Sequence, residues 1–265
     1  AFTVAAALED KLVAPDDIFN LPPSIIVADR EIKEAHERGT VDLTTTQILA
    51  QSSNVGTVKI GLRLGDRRFD RWVRRFGFGR PTGIELPAEE SGQVLKYGEY
   101  SGSSMGNLPI GQGESVTPLQ LAAAYSAVAN GGIMRSPRII SEIEGIRTPT
   151  PRGRRVISQT TAAQIRDMLE GVTEAGGTAS QVAIPGYSLA GKTGTANKVD
   201  RSTGEYSKTR FIGSFVGFAP AKRPKLLVTV MVDEPQGEIY GSEVAAPAFR
   251  EIMRFALPYL RIAPG

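Results

Sequence analysis

Cysteine is absent from this sequence, and histidine occurs once, at His36. Without cysteine the chain has no thiol nucleophile, no disulfide and no Cys-ligated zinc site. A Ser-His-Asp triad would have to use His36, and the charged residues around it between 31 and 38 indicate exposed surface instead. We therefore expect chemistry that uses no metal, no cofactor and no histidine base.

Long hydrophobic runs are also missing. No apolar stretch reaches the roughly 18 residues of a membrane helix, and no signal-peptide pattern is present. We therefore expect these residues neither to span a membrane nor to direct export. The first residues, Ala1 to Leu8, lack a cap residue and a starting methionine and are typical of a helix interior, which predicts a chain that begins in mid-element.

Charge of neither sign dominates. The 265 residues carry a net charge of +3, with 41% hydrophobic and 22% charged side chains, which is ordinary for a soluble globular protein. Arginines cluster between 67 and 75, but Phe69 and Trp72 stand among them. This pattern favours the solvent-exposed face of an amphipathic helix over a nucleic-acid-binding patch. We expect a single domain over 1–265 and no nucleic-acid partner.

The chain divides into a mostly helical part, about 13–115, and a part that contains strands, about 116–265. Helical patterns continue in the second part, which adds three strand candidates: Tyr187 to Ala196, Phe211 to Phe218 and Leu226 to Asp233. Their polar and tight connections favour antiparallel hairpins. The predicted fold is α+β, with an antiparallel sheet flanked by helices and an adjoining all-helical lobe.

One lysine stands among small residues in Leu189-Ala190-Gly191-Lys192-Thr193-Gly194-Thr195-Ala196. A strand-like run leads into this segment, and the glycines let a ligand approach the main chain closely. A cation and a row of accessible backbone amides on one edge suit an anion. Taken alone, the segment fits a solvated strand end equally well.

A hydroxyl and an amide stand two residues apart in Ser52-Ser53-Asn54, at a predicted break between helices. Local helix capping explains such a pattern when it stands alone. A serine acyl-transfer site without histidine needs a nucleophilic serine, a lysine base, a relay hydroxyl, an amide that holds the substrate peptide, and backbone donors for the oxyanion. The serine-asparagine and lysine motifs together would supply the last three functions.

These motifs, in the context of the whole chain, resemble the penicillin-binding transpeptidases of the penicillin-binding and serine β-lactamase-like superfamily. The match is to the class B, monofunctional type that crosslinks peptidoglycan, and its blocks occur in the family's order along almost the whole chain. The blocks are residues 47–56, 111–121 with 129–132, 190–196, 215–220, and 232–235 with 245–249.

The resemblance implies a role for each matching residue. Ser52 would pass protons between the nucleophile and the leaving or entering amine, and Asn54 would hydrogen-bond the donor peptide backbone. Lys192 would attract the terminal carboxylate of the substrate and help to depress the pKa of a neighbouring lysine. The hydroxyls of Thr193 and Thr195 would hold that carboxylate, and the Thr195 N–H would be one oxyanion donor.

Two more residues belong to the predicted substrate-binding set. Gly194 allows the close approach of a ligand to the strand. Tyr240 lies where related enzymes place an aromatic wall beside the pocket, and simple loop packing explains it nearly as well.

The family's first motif, Ser-x-x-Lys, is absent, because no lysine of the sequence has a serine three positions before it. In the family pattern this motif is followed directly by a helical run like that at Ala1 to Leu8. We therefore expect the chain to start just after the motif, without the nucleophile, its base and the first sheet strands. This polypeptide alone is expected not to react with penicillin, although its parent would.

The resemblance implies acyl transfer from a D-Ala-D-Ala stem peptide to an amine of another stem peptide. D,D-carboxypeptidases and serine β-lactamases share the motifs and use water, and a non-catalytic peptide-binding module is a further alternative. Expected ligands are peptidoglycan stem peptides and β-lactams. The parent is expected to be anchored by an N-terminal membrane helix, with this domain on the extracytoplasmic face beside a membrane glycosyltransferase of the cell-wall machinery.

Overall fold

A computed structural model describes residues 1–200, 203 and 205–264. The α-helices are α1 (Phe2–Glu9), α2 (Thr45–Ala50), α3 (Asn54–Leu64), α4 (Asp66–Arg75), α5 (Ser104–Asn107), α6 (Pro118–Ala129), α7 (Gln159–Thr173), α8 (Gly241–Val244) and α9 (Ala246–Tyr259). The strands are β1 (Ile18–Leu21), β2 (Ser24–Val27), β3 (Arg30–Lys33), β4 (Val41–Thr44), β5 (Ile133–Met134), β6 (Glu142–Ile143), β7 (Ile146–Arg147), β8 (Arg154–Arg155), β9 (Ala190–Val199), β10 (Tyr206–Ala219) and β11 (Leu226–Asp233). None of the helices in this described part combines the length and the apolar character needed to cross a membrane.

Helix α1 lies at the centre of the molecule. Its side chains from Val4 to Ala7 are at most 1% exposed, and the helix contacts α3, α4 and α7. Its successive alanines leave room for these neighbours to approach closely. At the amino end Phe2 packs against Phe76 and Tyr125, whose ring centroids lie 4.8 and 4.9 Å from its own. The apolar opening of the sequence is thus a buried core helix, as its composition predicts.

An antiparallel sheet of three strands, in the order β11-β10-β9, forms the other main layer. Its middle strand buries Phe215 and Phe218 completely. Helix α9 covers Phe215 with Phe249, whose ring centroid is 4.5 Å away, and α6 and α7 also contact the sheet. Helices therefore enclose an antiparallel sheet, which confirms the α+β prediction.

The first hairpin of this sheet is longer than its sequence pattern predicts. The polar residues after the first strand candidate predict a connection over 197–208, whereas β9 continues to Val199 and β10 begins at Tyr206. Residues 201, 202 and 204 of that connection lie outside the described residues. The pattern fails here because strand alternation is visible only where one face carries apolar side chains.

The proline pair at 22–23 and the charged residues after it predict a loop from 18 to 40, and this prediction is wrong. Strand β1 pairs with β4, and β2 pairs with β3. Strands of four residues place only two side chains on each face, so their alternation does not stand out from loop sequence. The part that was predicted to be all-helical therefore also holds two small antiparallel ladders. Its extent as a separate lobe stays a prediction.

Candidate active site

Helix α2 ends and α3 begins at a sharp turn, the Ser-Ser-Asn corner, formed by Ser52, Ser53 and Asn54. The Ser52 N–H donates to Leu49 O at 3.3 Å and the Ser53 N–H to Ile48 O at 3.0 Å, a pattern that closes a helix through a left-handed residue. That residue is Ser52, with φ of 57°. Glycine usually takes this place because a Cβ is strained there. Serine at this place puts a hydroxyl at the end of α2 at some cost in backbone strain.

The two other residues of the corner have different tasks. The Ser53 hydroxyl accepts the Gly56 N–H at 3.0 Å and so caps α3. The half-buried Asn54 donates from Nδ2 to Lys33 O at 2.9 Å. Local capping is therefore real and uses Ser53, while the side chains of Ser52 and Asn54 have other partners.

Lys192 reaches the corner from strand β9. Its Nζ donates to Ser52 Oγ at 2.7 Å and lies 3.3 Å from Thr193 O. Burial lowers the pKa of Lys192 to about 8. The amino end of α1 lies near the same lysine. The two motifs predicted to act together thus meet in front of α1.

The outer edge of β9 carries Thr193, Gly194 and Thr195, since β9 is an edge strand of the three-stranded sheet. A Cβ at Gly194 would stand 2.5 Å from Ser214 Oγ on β10, so a larger residue would displace that serine. The exposed Thr195 accepts the Gly241 N–H at its Oγ1, 3.0 Å away. Because this bond uses only the oxygen, the Thr195 O–H stays available to donate to an anion.

Thr178 also belongs to this edge, and no sequence motif predicted it. Its Oγ1 lies 3.2 Å from Thr193 Oγ1, which in turn lies 3.4 Å from Lys192 Nζ. A tight turn after α7 places Thr178, since a Cβ at Gly177 would meet Val172 O at 2.3 Å. A glycine pair at this point indicates a helix end. Which strand the next residue touches depends on tertiary packing, so local sequence carried no signal for it.

Tyr240 lies at the same end of β9. It precedes Gly241, which binds Thr195, and its ring packs against that of His36 with centroids 5.5 Å apart. His36 itself is exposed, as its charged neighbours predict. Tyr240 therefore connects the segment before the corner to the sheet. Its role as an aromatic wall of the pocket stays a prediction.

The sequence matches a known protein family. The profile of a family described as penicillin binding protein transpeptidase domain matches residues 1–254. The chain belongs to this family. The motif-based resemblance is thereby confirmed, and the region where the corner meets β9, called the groove below, is the active-site candidate of a transpeptidase domain.

Relatives and solved structures resemble the transpeptidase domain over almost its full length. It is 41% identical over 268 residues to penicillin-binding protein PbpB of Mycolicibacterium smegmatis, across 96% of this chain and 41% of PbpB. It is 33% identical over 264 residues to the probable peptidoglycan D,D-transpeptidase PenA of Neisseria flavescens, across 99% of this chain and 64% of PenA. A crystal structure of penicillin binding protein 3 from Mycobacterium tuberculosis, complexed with aztreonam, matches with a TM-score of 0.91 and 35% identity, across 100% of this chain and 62% of that one. The transpeptidase domain spans less than two thirds of the length of these three proteins.

Proposed function

We propose that this domain supplies the substrate-binding edge and the proton-relay side chains of a peptidoglycan D,D-transpeptidase. The observation that carries the proposal is the 2.7 Å contact between Lys192 Nζ and Ser52 Oγ, which joins two distant motifs in one groove. The similarity to a penicillin-binding protein and to a probable peptidoglycan D,D-transpeptidase supports the same reaction.

The reaction has two acyl-transfer steps. A serine attacks the carbonyl carbon of the D-Ala-D-Ala bond in one stem peptide, an ester forms, and D-Ala leaves with the proton that the serine gives up. An amine of a second stem peptide then attacks the ester, forms the crosslinking peptide bond and restores the serine hydroxyl. No lysine among the 265 residues has a serine three positions before it. We therefore assign the attacking serine and its lysine base to a part of the protein outside these residues.

The groove provides the remaining functions of this chemistry. Ser52 accepts a hydrogen bond from Lys192 and keeps its own O–H to donate, which suits a proton relay. The charge of Lys192 attracts the carboxylate at the end of a stem peptide or β-lactam. The free O–H of Thr195 and the hydroxyl of Thr193 hold that carboxylate, and Gly194 lets it approach the strand.

Two groups act on the peptide itself. Asn54 uses one N–H on Lys33 O, so its Oδ1 and its second N–H remain to hold the donor peptide backbone. The Thr195 N–H donates to the oxyanion, an interaction worth about 3 to 4 kcal/mol in comparable sites. Tyr240 walls the pocket beside them.

The location of the whole protein follows from the reaction. Stem peptides are crosslinked on the extracytoplasmic face of the bacterial membrane, so we place the domain there. In this proposal an N-terminal membrane helix anchors the protein, and a membrane glycosyltransferase of the cell-wall machinery works beside it.

A labelling experiment with the full-length protein tests the function. Fluorescent penicillin should give a covalent band on a denaturing gel, and stem peptide with an added acceptor amine should give a crosslinked product and free D-Ala by mass spectrometry. If the protein takes the penicillin label but only hydrolyses the stem peptide, transpeptidation is overturned in favour of a D,D-carboxypeptidase. Rapid turnover of penicillin would favour a β-lactamase. Binding of stem peptide without any covalent label would overturn catalysis in favour of a peptide-binding module.

A further inference from the structure

A carboxylate outside every recognised motif holds the Ser-Ser-Asn corner. Glu34 Oε1 accepts Ser53 Oγ–H at 2.6 Å, and Glu34 Oε2 accepts the Asn54 N–H at 2.8 Å. The Glu34 side chain is only 7% exposed. Buried hydrogen bonds of this kind are costly to lose, because water does not replace the missing partner. Both carboxylate oxygens therefore bind the corner, one on each of its last two residues.

Arg38 fixes the position of this carboxylate. Its Nη2 binds Glu34 Oε1, while its Nη1 donates to Leu21 O at 3.2 Å and to Gly39 O at 3.1 Å. The guanidinium is thus located by main-chain oxygens of β1 and of the segment before β4. A charge-assisted bond from a guanidinium held in this way sets the position of the carboxylate more firmly than a neutral donor would.

The residue before Glu34 contacts the corner as well. Lys33 O accepts Nδ2 of Asn54 at 2.9 Å, and Glu34 binds the backbone N–H of the same asparagine. Asn54 is therefore held at its side chain and at its main chain by two successive residues. The direction in which its amide faces the groove depends on where this pair of residues lies.

We propose that Glu34, held by Arg38, is a positioning residue for the acyl-transfer groove. It orients the amide of Asn54 and, through Ser53, keeps Ser52 in its left-handed conformation with φ of 57°. The proposal rests on the proposed function, since it assigns Glu34 to the machinery of that reaction without any contact to substrate. Loss of the carboxylate would weaken peptide binding through Asn54 and slow acylation through Ser52.

A purely structural role makes a different prediction. A carboxylate near the first turn of α3 also stabilises that helix by capping and by its charge. If Glu34 did only this, its loss would lower thermal stability, and the folded fraction of the protein would react at the normal rate. Kinetics per folded molecule therefore separate positioning from capping.

The test uses Glu34→Gln in the full-length protein, because glutamine keeps the volume but turns one acceptor oxygen into a donor that faces the Asn54 N–H. Glu31→Gln is the matched control, since Glu31 lies on β3, is 49% exposed and binds Lys33. Acylation by excess penicillin, followed in time, separates the dissociation constant of the first complex from the maximal acylation rate. We expect Glu34→Gln to lower the ratio of the maximal acylation rate to the dissociation constant of the first complex about tenfold or more. The acylation rate should fall and the dissociation constant should rise. Glu31→Gln should behave as wild type.

A double variant separates charge from stability. Glu34→Gln with Arg38→Gln removes both charges, so no unpaired arginine is left in the site. If the double variant has wild-type thermal stability and still acylates slowly, the positioning role is supported. If the folded single variant or the folded double variant acylates at the wild-type rate, the positioning role is overturned.

A second readout does not depend on activity. If wild-type protein takes no label, the proposed function fails, and hydrogen exchange at the Asn54 N–H then tests only whether Glu34 holds the corner. Faster exchange in Glu34→Gln than in Glu31→Gln would support the contact as the element that fixes the corner. Equal exchange in the two variants would overturn the inference.

Discussion

Lys192 Nζ and Ser52 Oγ lie 2.7 Å apart, although 140 residues separate them in the chain. One belongs to an edge strand and the other to a left-handed residue between two helices. The contact brings a cation of lowered pKa to a hydroxyl that can relay a proton. A change in either partner therefore alters the groove directly.

Replacement of Lys192 by alanine removes both the charge and the donor to Ser52. We expect labelling of the full-length protein by fluorescent penicillin to slow about a hundredfold or more, the usual effect of losing one electrostatic contact in such a site. Lys198→Ala is the control, because Lys198 lies on the same strand and binds Asp233 and Glu234 instead, at 2.8 and 2.7 Å. Equal labelling rates of Lys192→Ala and wild type would contradict the role given to Lys192.

The pH dependence of ligand binding reports on the same lysine. Burial lowers the pKa of Lys192 from its usual 10.5 to about 8, so its charge is lost as the pH rises through about 8. The non-covalent affinity for a β-lactam carboxylate, measured before acylation, should therefore fall across this pH. A Lys192→Arg variant should lack this fall, because a guanidinium stays charged. A fall of the same size in both proteins would assign it to another group.

The same pKa makes the unfolding free energy depend on pH. Between pH 8 and 10.5 the unfolded chain holds a proton on Lys192 that the folded protein has released. The unfolded state thus binds more protons in this window, and stability should rise with pH there. Denaturant unfolding at several pH values measures the slope, and Lys192→Met, which does not titrate, should remove this contribution.

Thr178→Val keeps the shape of the side chain and removes the hydroxyl that lies 3.2 Å from Thr193 Oγ1. Thr193 then loses a hydrogen-bond partner that, in the proposed function, orients its hydroxyl toward the substrate carboxylate. We expect binding of the first penicillin complex to weaken about fivefold, in line with about 1 kcal/mol for one hydrogen bond. The control is Thr160→Val on α7, where the residue is exposed. An equal change in both variants would show that the Thr178 hydroxyl has no special effect.

Gly241→Ala tests the close approach of α8 to the sheet. A Cβ at this position would lie 2.3 Å from Ser214 O and 2.4 Å from Gly194 O, which are main-chain atoms that cannot rotate away. We expect a loss of about 1 to 3 kcal/mol in the unfolding free energy. At Gly98 a Cβ meets nothing within 4 Å, so Gly98→Ala should change stability by less than about 0.5 kcal/mol. If the two variants have similar unfolding free energies, the sheet backbone near Gly241 moves enough to accommodate the added Cβ.

Long periodic elements were predictable because their signal is repeated. Ser158 is a typical helix cap and apolar residues follow it at helical spacing, which predicts the helix that runs from Gln159 to Thr173 with these side chains buried. Strand β11 has the bounds that its pattern predicted. The four-residue strands β1 to β4 were missed, since so few side chains give no period to detect. The polar end of the β9–β10 hairpin was missed for a related reason, because its alternation lacks an apolar face.

The order and type of residues along the chain were enough to identify the family, the α+β class and the two motifs that meet in the groove. Residue order could not specify that Ser52 takes a left-handed conformation, that Thr178 touches Thr193, or that Glu34 binds the backbone of Asn54. These facts depend on the packing of elements that are remote in the chain, because a hydrogen bond forms only when both partners are brought within about 3 Å of each other. Only the tertiary fold sets those distances.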